Sequence, residues 1–256
     1  MSSIDFKTRI DRLQAQLRGD SAALLSTPND IYYYSGFEFL VPEEREALLL
    51  VTRDSTHCIQ ASFSPITTPN WVQIHKGVYP KRTAQHLQRI LRGTDTTRLL
   101  LDHSSLFVAE LRAIESVVDV PLEKLDRNII WKQRMVKDTT EQQLLRQAAD
   151  IAIQSWKHVE PQLKVGMTEL DVERILEREM LERGASGPAF PTIVAFGEHG
   201  ALPHYQPGTT ALTAETPVLI DFGATYQGYR SDISRSFWFG DEPSDTFLKV
   251  KSIVHE

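Results

Sequence analysis

The sequence contains a single cysteine, Cys58, among its 256 residues. One thiol cannot form an intramolecular disulfide, and it cannot build the Cys/His cluster of a structural zinc site. Its apolar setting next to Ile59 does not favour an activated thiolate. We therefore predict that Cys58 is a small buried hydrophobic residue in a strand and that the protein works in a reducing compartment.

Several common catalytic motifs are also missing. The chain has no Gly-x-Ser-x-Gly elbow, no His-Glu-x-x-His helix and no phosphate loop with Gly-Lys-Ser/Thr. The segment Gly197-Glu198-His199-Gly200 has two glycines without the spacing of a dinucleotide-binding turn, and we interpret it as an ordinary turn. Serine-hydrolase, zincin and nucleotide chemistries are therefore not indicated.

Excess positive charge and long apolar runs are absent as well. The formal net charge is -6, so a nucleic-acid partner is not indicated. No apolar run approaches the ~18 residues that a membrane span needs, and the segment Met1-Ser2-Ser3-Ile4 lacks the basic and apolar regions of a signal peptide. We predict a soluble cytoplasmic protein with no nucleic-acid or membrane partner.

The first part of the chain alternates between helical and strand patterns. Ile10, Leu13 and Leu17 recur at helical spacing before Gly19. Short apolar runs follow, separated by turn residues, and such alternation is typical of an α/β domain with a largely buried sheet. The predicted later elements are a strand at 22–25, a helix from Pro28, strands at 47–51 and 57–61 joined as a hairpin across 54–55, a helix around 87–91, a strand at 98–102 and a capped helix at 104–116.

The alternation of short helices and strands ends at about residue 126, where longer helical patterns begin. We therefore predict domains at 1–130 and 131–256. Thr168 and Asp171 have the spacing of a capping box, which marks the start of a helix that Gly184 would end. The other elements predicted in this part are a long helix at 137–159, strands at 192–196, 217–222 and 229–239, and a final helix at 244–256.

The most informative stretch pairs two aspartates. Asp221 closes the apolar run Val218-Leu219-Ile220, and Asp232 follows on the expected antiparallel partner strand. If Tyr226-Gln227 is a two-residue loop, the two carboxylates lie directly opposite each other, with Cβ atoms ~4.5–5.5 Å apart; a bulge at Gly228 would shift this register by one. Carboxylates that close need a proton or a cation between them, which favours a divalent metal site. Alternatively, Asp221 bonds the backbone at a strand end and Asp232 is a surface turn residue.

His204 lies in a loop after Pro203, just upstream of the aspartate strands. A histidine in such a loop commonly serves as a surface or packing residue. Close to a metal site it could instead donate a hydrogen bond to a developing oxyanion, and it is our candidate catalytic residue.

These segments resemble a known family. The run Pro-Thr-Ile-Val-Ala-Phe-Gly-Glu-His-Gly-Ala-Leu-Pro-His-Tyr from Pro191, and Val-Leu-Ile-Asp-Phe-Gly through Gly-Tyr-Arg-Ser-Asp-Ile-Ser-Arg-Ser-Phe, resemble the pita-bread metallopeptidases, particularly Xaa-Pro aminopeptidase and Xaa-Pro dipeptidase (prolidase). Upstream, Arg134-Met135-Val136-Lys137 and Tyr33-Tyr34-Ser35-Gly36-Phe37 are similar to that family's entry helix and to the creatinase-type N-terminal domain. The implied fold is a creatinase-type N-terminal α/β domain followed by the first half of a pita-bread (α+β) catalytic domain.

The resemblance also implies an activity. Asp221 and Asp232 match two metal ligands, and His204 matches the active-site histidine. The implied enzyme is an exopeptidase that cleaves Xaa-Pro bonds with two divalent cations, Mn²⁺ most commonly and Co²⁺ or Zn²⁺ as alternatives, and a bridging hydroxide as nucleophile. The implied substrate is a small peptide with proline at the second position, and the implied assembly is a homodimer.

The match has one large departure. The family's histidine ligand and its two glutamate ligands have no counterparts in these 256 residues, and His255 and Glu256 do not match them. We therefore expect these 256 residues to be inactive by themselves, either as part of a longer protein or as a true truncation. The alternatives within this fold are a non-catalytic binding protein and an amidohydrolase of the creatinase or ectoine-hydrolase type. The aspartate pair argues against the first and against the metal-independent creatinase reaction.

Overall fold

The computed structural model describes residues 4–39, 44–65, 67–77, 81–103 and 105–255. The chain divides into two compact units, Met1–Lys137 and Asp138–Glu256. No helix in the described ranges is long and apolar enough to cross a membrane.

The first unit alternates helices with strands, as the sequence predicts. Its helices are α1 (Phe6–Gln16), α2 (Pro28–Ser35), α3 (Lys81–Arg92), α4 (Val108–Glu115) and α5 (Asn128–Met135). Its strands are β1 (Ser21–Leu25), β2 (Ala47–Val51), β3 (Thr56–Ala61), β4 (Val72–Gly77), β5 (Arg98–Leu101) and β6 (Leu122–Lys124).

These strands form one mixed sheet in the order β4-β3-β2-β1-β5-β6. The strands β1, β2 and β3 pair antiparallel, whereas β4, β5 and β6 join their neighbours in parallel. Alternate residues of the central strands face two different cores. Leu49 and Cys58 pack in the cluster that includes Leu13 and Ile31, whereas Leu48 packs with residues such as Leu87, Leu99 and Ile114. Helices therefore cover both faces of the sheet, which explains why every residue of β1 and β2 is buried and all but Ser21 are apolar.

Cys58 is fully buried in β3, as predicted. Burial raises the pKa of its thiol to about 12, so this thiol is not a nucleophile near neutral pH. The predicted helix at 104–116 begins later, at Val108, where the backbone N–H of Phe107 donates to Glu110 Oε2 at 2.7 Å. Ser104 itself lies outside the described residues.

The division between the units follows Lys137, whereas the sequence placed it after residue 130. Helix α5 belongs to the first unit because Ile130 is fully buried in that unit's core and Arg134 Nη1 lies 2.7 Å from Asp30 Oδ1. The following helix was also predicted to begin at Lys137, two residues before its start at Thr139 in the structure. The chain is extended at Val136 and Asp138, and Asp138 caps the next helix by accepting from the backbone N–H of Glu141 at 2.8 Å.

The second unit packs two long helices against one face of a sheet. Its helices are α6 (Thr139–Val159), α7 (Glu169–Glu182) and α8 (Asp245–His255). Its strands are β7 (Gly187–Pro188), β8 (Ile193–Phe196), β9 (Thr216–Phe222), β10 (Ala224–Tyr226), β11 (Tyr229–Arg230) and β12 (Ile233–Phe239). They are arranged as two sheets, β12-β9-β8 and β11-β10-β7. The predicted strand at 229–239 is thus interrupted between β11 and β12. The last residue of the predicted helix at 244–256, Glu256, lies outside the described residues.

Packing in this unit leaves one sheet face open. Trp156 of α6 and Leu176 of α7 share a core with Val218, Ile220 and Phe222 of β9. The intervening β9 residues point to the other face and are only half-buried. The capping box of α7 is confirmed, because Thr168 Oγ1 accepts from the N–H of Asp171 while Asp171 Oδ2 accepts from the N–H of Thr168.

Candidate metal and catalytic site

Asp221 lies near the end of β9, on the sheet face that the helices leave open. It pairs with Ile193 of β8 on one side and with Ser234 of β12 on the other. The Ser234 hydroxyl donates to Asp221 Oδ1 at 2.8 Å. Both side chains therefore point to the same, open face of the sheet.

Asp232 does not lie directly opposite Asp221, so the predicted register is wrong. The structure pairs Tyr226 with Tyr229, and the two-residue turn is Gln227-Gly228 rather than Tyr226-Gln227. Both turn residues have positive φ angles, 46° at Gln227 and 75° at Gly228. This conformation is typical of a type I′ hairpin turn, which glycine favours and tyrosine disfavours. The glycine thus sets the position of the turn.

Extending the register from both sides of the hairpin assigns the two aspartates to the same face. The pairing keeps one register on both sides of the break between β11 and β12, since Ala224 accepts a hydrogen bond from the N–H of Ser231 and Phe222 pairs with Ile233. Continuing that register, Asp232 is the diagonal neighbour of Asp221 across the hairpin. Diagonal neighbours on an antiparallel pair are about 7–8 Å apart, with the Cβ atoms somewhat closer. This spacing allows both carboxylates to approach a common ligand.

A close backbone approach fixes the segment that carries Asp232. A methyl group placed on Gly223 would lie 1.9 Å from the carbonyl oxygen of Ser231, so no larger residue fits there without movement. The buried Ser231 hydroxyl accepts from the N–H of Ala224 at 2.9 Å and donates to the carbonyl of Ala148 in α6 at 3.1 Å. The residue directly before Asp232 is therefore anchored to the helix layer.

The carboxylates of Asp221 and Asp232 fit a divalent cation. Asp221 is half-buried and Asp232 is exposed, and neither forms an ion pair with an arginine, lysine or histidine among the described residues. Carboxylate oxygens suit hard divalent cations. They are too few for a complete site, and within the described ranges no three Asp, Glu, His or Cys side chains come together to hold a metal. Their role as ligands stays a prediction.

His204 is placed in the loop that follows β8. It is exposed, has a φ angle of 56°, and makes no hydrogen bond to either aspartate within the described part of the chain. The loop nevertheless runs along the open face, because a methyl group at Gly200 would lie 3.7 Å from the Cβ of Leu219. Leu219 is two residues before Asp221 and points to the same face. The structure thus brings the loop, rather than the imidazole itself, to the aspartate strand.

The sequence did not predict a role for a buried carboxylate near this loop. Glu169 is fully buried and accepts four hydrogen bonds, two on each oxygen. Oε1 accepts from the N–H of Phe196 at 2.9 Å and from His199 Nδ1 at 2.8 Å. Oε2 accepts from the Tyr205 hydroxyl at 2.8 Å and from the N–H of Gly208 at 3.0 Å.

These bonds settle the ionisation of Glu169. Burial alone would raise its pKa, but the hydrogen bonds from His199, Phe196, Tyr205 and Gly208 outweigh burial and hold the pKa below its usual value. Glu169 is thus ionised near neutral pH without an arginine or lysine partner among the described residues. The segment Gly197–Ala201, interpreted above as a turn, is a short 3-10 helix that presents His199 to this carboxylate.

Comparisons with known proteins agree with this architecture. A profile of the Creatinase/Prolidase N-terminal domain matches residues 9–136, and a profile of the Metallopeptidase family M24 matches residues 143–256. An uncharacterized peptidase of Staphylococcus aureus (strain USA300) is 29% identical over 256 residues, which cover 97% of this chain and 71% of that protein.

Solved structures of the same kind superpose over nearly the whole chain. The X-Pro aminopeptidase from Thermotoga maritima MSB8 has a TM-score of 0.82 and 28% identity, covering 96% of this chain and 68% of its own. The Xaa-Pro dipeptidase from Bacillus anthracis has a TM-score of 0.87 over 98% of this chain and 70% of its own; at 24% identity this likeness concerns the fold. As its motifs suggested, the chain belongs to metallopeptidase family M24, with a creatinase/prolidase N-terminal domain ahead of part of a pita-bread catalytic domain.

Proposed function

We propose that the enzyme is a proline-directed exopeptidase of the Xaa-Pro aminopeptidase or dipeptidase type. The observation that carries this proposal is the placement of Asp221 and Asp232 on one open sheet face without an arginine or lysine partner among the described residues. Two like charges so placed favour a cation between them. The likeness to an X-Pro aminopeptidase and an Xaa-Pro dipeptidase supports the substrate class.

Members of this family use divalent cations, and we propose two here, with Mn²⁺ preferred over Co²⁺ or Zn²⁺. Asp221 would contact one cation and Asp232 both. When bound, the cations would polarise the scissile carbonyl and lower the pKa of water so that it can act as the nucleophile. Carboxylate ligands are compatible with each of these metals, so the preference for Mn²⁺ rests on the family resemblance.

His204 has the proposed role of a hydrogen-bond donor to the substrate. Its exposed position, in a loop that runs along the aspartate face, supports this role. A donor aimed at the oxygen that gains negative charge in the transition state typically contributes a factor of about 10²–10³ to the rate. The bond before proline is a tertiary amide without an N–H, so the enzyme cannot recognise this substrate through a hydrogen bond from that position. We expect the proline ring at the second position of the peptide to determine substrate specificity instead.

The resemblance to the family also leads us to propose that the protein is a cytoplasmic homodimer. For the 256-residue polypeptide on its own, we propose weak cation binding and little or no hydrolysis, because two carboxylates supply too few donors for two cations. The chain corresponds to 71% of the length of the staphylococcal relative.

Release of proline from an Xaa-Pro dipeptide tests the function. The assay compares the 256-residue chain with the longest natural product that contains it, each after loading with Mn²⁺. An Xaa-Pro-Yaa tripeptide in parallel separates aminopeptidase from dipeptidase activity, and an Xaa-Ala dipeptide measures the preference for proline. A folded, metal-loaded natural product that cleaves neither proline substrate would refute the proposal. Two tightly held metal equivalents in the desalted 256-residue chain would contradict the proposed weak binding.

A further inference from the structure

The loop that carries His204 is attached to the second unit at both of its ends by one carboxylate. Phe196 and His199 donate to Glu169 from the segment before His204. Tyr205 and Gly208 donate to the same group from the segment after it. Glu169 therefore closes the base of the loop, and residues 200–204 project beyond the closure.

Hydrophobic packing contributes little to this projecting segment. Ala201, Leu202, Pro203 and His204 are all exposed, and Leu202 retains 52% of its accessible surface. His204 also has a left-handed backbone conformation, with a φ angle of 56°. This conformation costs a non-glycine residue about 1–2 kcal/mol, so surrounding contacts must hold it in place. The hydrogen bonds at the base of the loop are the contacts available for this purpose.

His199 and Tyr205, which both bond Glu169, also contact each other. The rings of His199 and Tyr205 stack with their centroids 4.4 Å apart and their planes 26° apart. Because an ionised carboxylate only accepts hydrogen bonds, His199 must carry a proton on Nδ1 to donate to it. The Tyr205 hydroxyl likewise donates to Glu169, and this residue directly follows His204 along the chain. The backbone of His204 is thus one peptide bond away from a residue whose side chain is held by two contacts.

We propose that Glu169 is a positioning residue for His204, which sets the place of the imidazole by clamping both ends of its loop. The inference rests on the proposed function, because it assigns His204 a part in the reaction. Glu169 neither touches the substrate nor supplies a cation ligand in this proposal. Its negative charge matters because four donors converge on it, and a neutral group of the same size cannot satisfy all four.

Substitution by glutamine illustrates this requirement. In Glu169→Gln one oxygen is replaced by an NH₂ group, which is itself a donor. If NH₂ replaces Oε2, the Tyr205 hydroxyl can rotate to accept, but the N–H of Gly208 is left facing another donor. If NH₂ replaces Oε1, the N–H of Phe196 loses its acceptor. In either orientation one end of the loop is released, and a buried unsatisfied donor is left behind.

Hydrogen exchange of the 256-residue chain tests the clamp independently of catalysis. We expect Glu169→Gln to accelerate exchange in residues 197–208 at least tenfold, with β9 and α6 unchanged. Tyr205→Phe removes one hydrogen bond and retains the ring stack, so it should accelerate exchange in the same segment by about fivefold. Glu173→Gln, which removes a carboxylate from the same helix, is the matched control and should change nothing in the loop. Unchanged exchange in both Glu169→Gln and Tyr205→Phe, or an equal acceleration throughout the unit, would overturn the clamp.

Kinetics of the metal-loaded natural enzyme test whether the clamp acts through His204. We expect Glu169→Gln and Tyr205→Phe to lower kcat on an Xaa-Pro dipeptide while KM stays within about twofold, because the change affects a donor used mainly in the transition state. Adding Glu169→Gln to His204→Ala should then cause no further loss, and Glu169→Asp should recover part of the activity. Additive losses in the double variant would show that Glu169 does not act through His204. Absence of Xaa-Pro hydrolysis in the unmodified enzyme would instead refute the proposed function, while the exchange result still decides the clamp.

Discussion

The buried carboxylates Asp30 and Glu110 of the first unit differ in their partners from the site carboxylates of the second unit. In the first unit the buried Asp30 lies 2.8 Å from Arg127 and 2.7 Å from Arg134, and the buried Glu110 lies 2.6 Å from Arg45. In the second unit Asp221 and Asp232 have no arginine or lysine partner among the described residues, and Glu169 is satisfied by uncharged or weakly basic donors.

This difference separates structural charge from charge that is available for binding. A carboxylate paired with arginine attracts a metal less strongly because the guanidinium already compensates its charge, and its loss leaves a buried arginine without that counter-charge. A carboxylate on an open sheet face, without such a partner, can be replaced at little cost to folding but supplies an oxygen to a divalent cation. The first unit is therefore expected to respond to charge removal in stability, and the second in cation binding and activity.

The largest effect is expected from Asp221→Asn and Asp232→Asn. Each should reduce cation affinity and Xaa-Pro hydrolysis by at least about a hundredfold, because the amide has no charge to hold the metal. The unfolding free energy should change by less than about 0.5 kcal/mol, since neither carboxylate is part of an ion pair within the described ranges. Isothermal titration with Mn²⁺ and the Xaa-Pro assay, both on the natural product that contains this chain, measure the first effect, and urea unfolding measures the second. A stability loss above about 2 kcal/mol with unchanged cation affinity would reverse the assignment of structural and functional carboxylates.

Asp30→Asn is the converse experiment in the first unit. It leaves Arg134 facing a neutral group while Arg127 keeps its ion pair with Asp102, and we expect a loss of about 3 kcal/mol in unfolding free energy without any change in Mn²⁺ affinity. Asp11→Asn is the control, because Asp11 pairs with Lys7 on the surface and both side chains are about half exposed. That control should cost less than about 0.5 kcal/mol. Equal effects of the two substitutions would mean that the arginine pairs of Asp30 are not structurally important.

A third substitution tests whether the close approach of Gly223 to Ser231 positions Asp232 for cation binding. Gly223→Ala would place a methyl group 1.9 Å from the carbonyl oxygen of Ser231, so the segment before Asp232 has to move. We expect a stability loss of about 2 kcal/mol from overpacking and a roughly tenfold weaker Mn²⁺ affinity. Gly200→Ala is the matched control, since its methyl group would make an ordinary contact at 3.7 Å with Leu219. A Gly223→Ala protein with unchanged cation affinity would argue against Asp232 as a ligand.

Local signals in the sequence predicted much of this architecture. The capping box of Thr168 and Asp171 depends on residues three apart, and the structure contains it. The continuous apolar runs of β1 and β2 likewise predicted a sheet covered on both faces. By contrast, β4 and β6 lie at the edges of that sheet and were missed. In β4, buried residues are confined to the two ends, so it carries no continuous apolar run or alternation that would mark it.

The candidate site was predicted less completely, for two physical reasons. The predicted hairpin register is wrong because both residues of the turn need positive φ angles, a requirement that Gln227-Gly228 meets more readily than Tyr226-Gln227. Glu169 could not have been found from a local pattern, because its donors lie 27 to 39 residues further along the chain. Only the tertiary fold brings them together. The sequence interpretation assigned the segment around Glu169 to helix capping alone.

The first unit contains a chain of hydrogen-bonded histidines, from which we expect a greater sensitivity to acid than in the second unit. Arg89 Nη2 donates to His75 Nδ1 at 3.2 Å and to His86 Nδ1 at 3.0 Å. Since arginine always carries its protons, both acceptors must be unprotonated. His75 Nε2 then donates to His57 Nδ1 at 3.1 Å, and His57 Nε2 donates to Ser55 Oγ at 2.8 Å. The chain of donors is consistent only with neutral imidazoles.

Mild acid should therefore weaken the first unit before the second. Burial, aided by the neighbouring His75, lowers the pKa of His57 to about 4, below its ordinary value of 6.5. A histidine that is neutral when folded but protonated when unfolded stabilises the fold fully above pH 6.5, and this contribution is lost as the pH falls towards 4. It amounts to about 2 kcal/mol lost at pH 5. Glu169 has a lowered pKa, so its contribution persists at pH 5 and is lost only below its unfolded value of 4.5.

Urea unfolding at pH 7.5, 6 and 5, with limited proteolysis to assign each transition to a unit, measures this difference. We expect the midpoint of the first unit to fall progressively between pH 7.5 and 5, while that of the second unit changes less. His57→Gln removes the titrating group and should flatten the dependence of the first unit, at the cost of lower stability at pH 7.5. A first unit whose stability is constant or rises between pH 7.5 and 5 would show that His57 keeps an ordinary affinity for protons. The contrast between the units would then rest on their carboxylates alone.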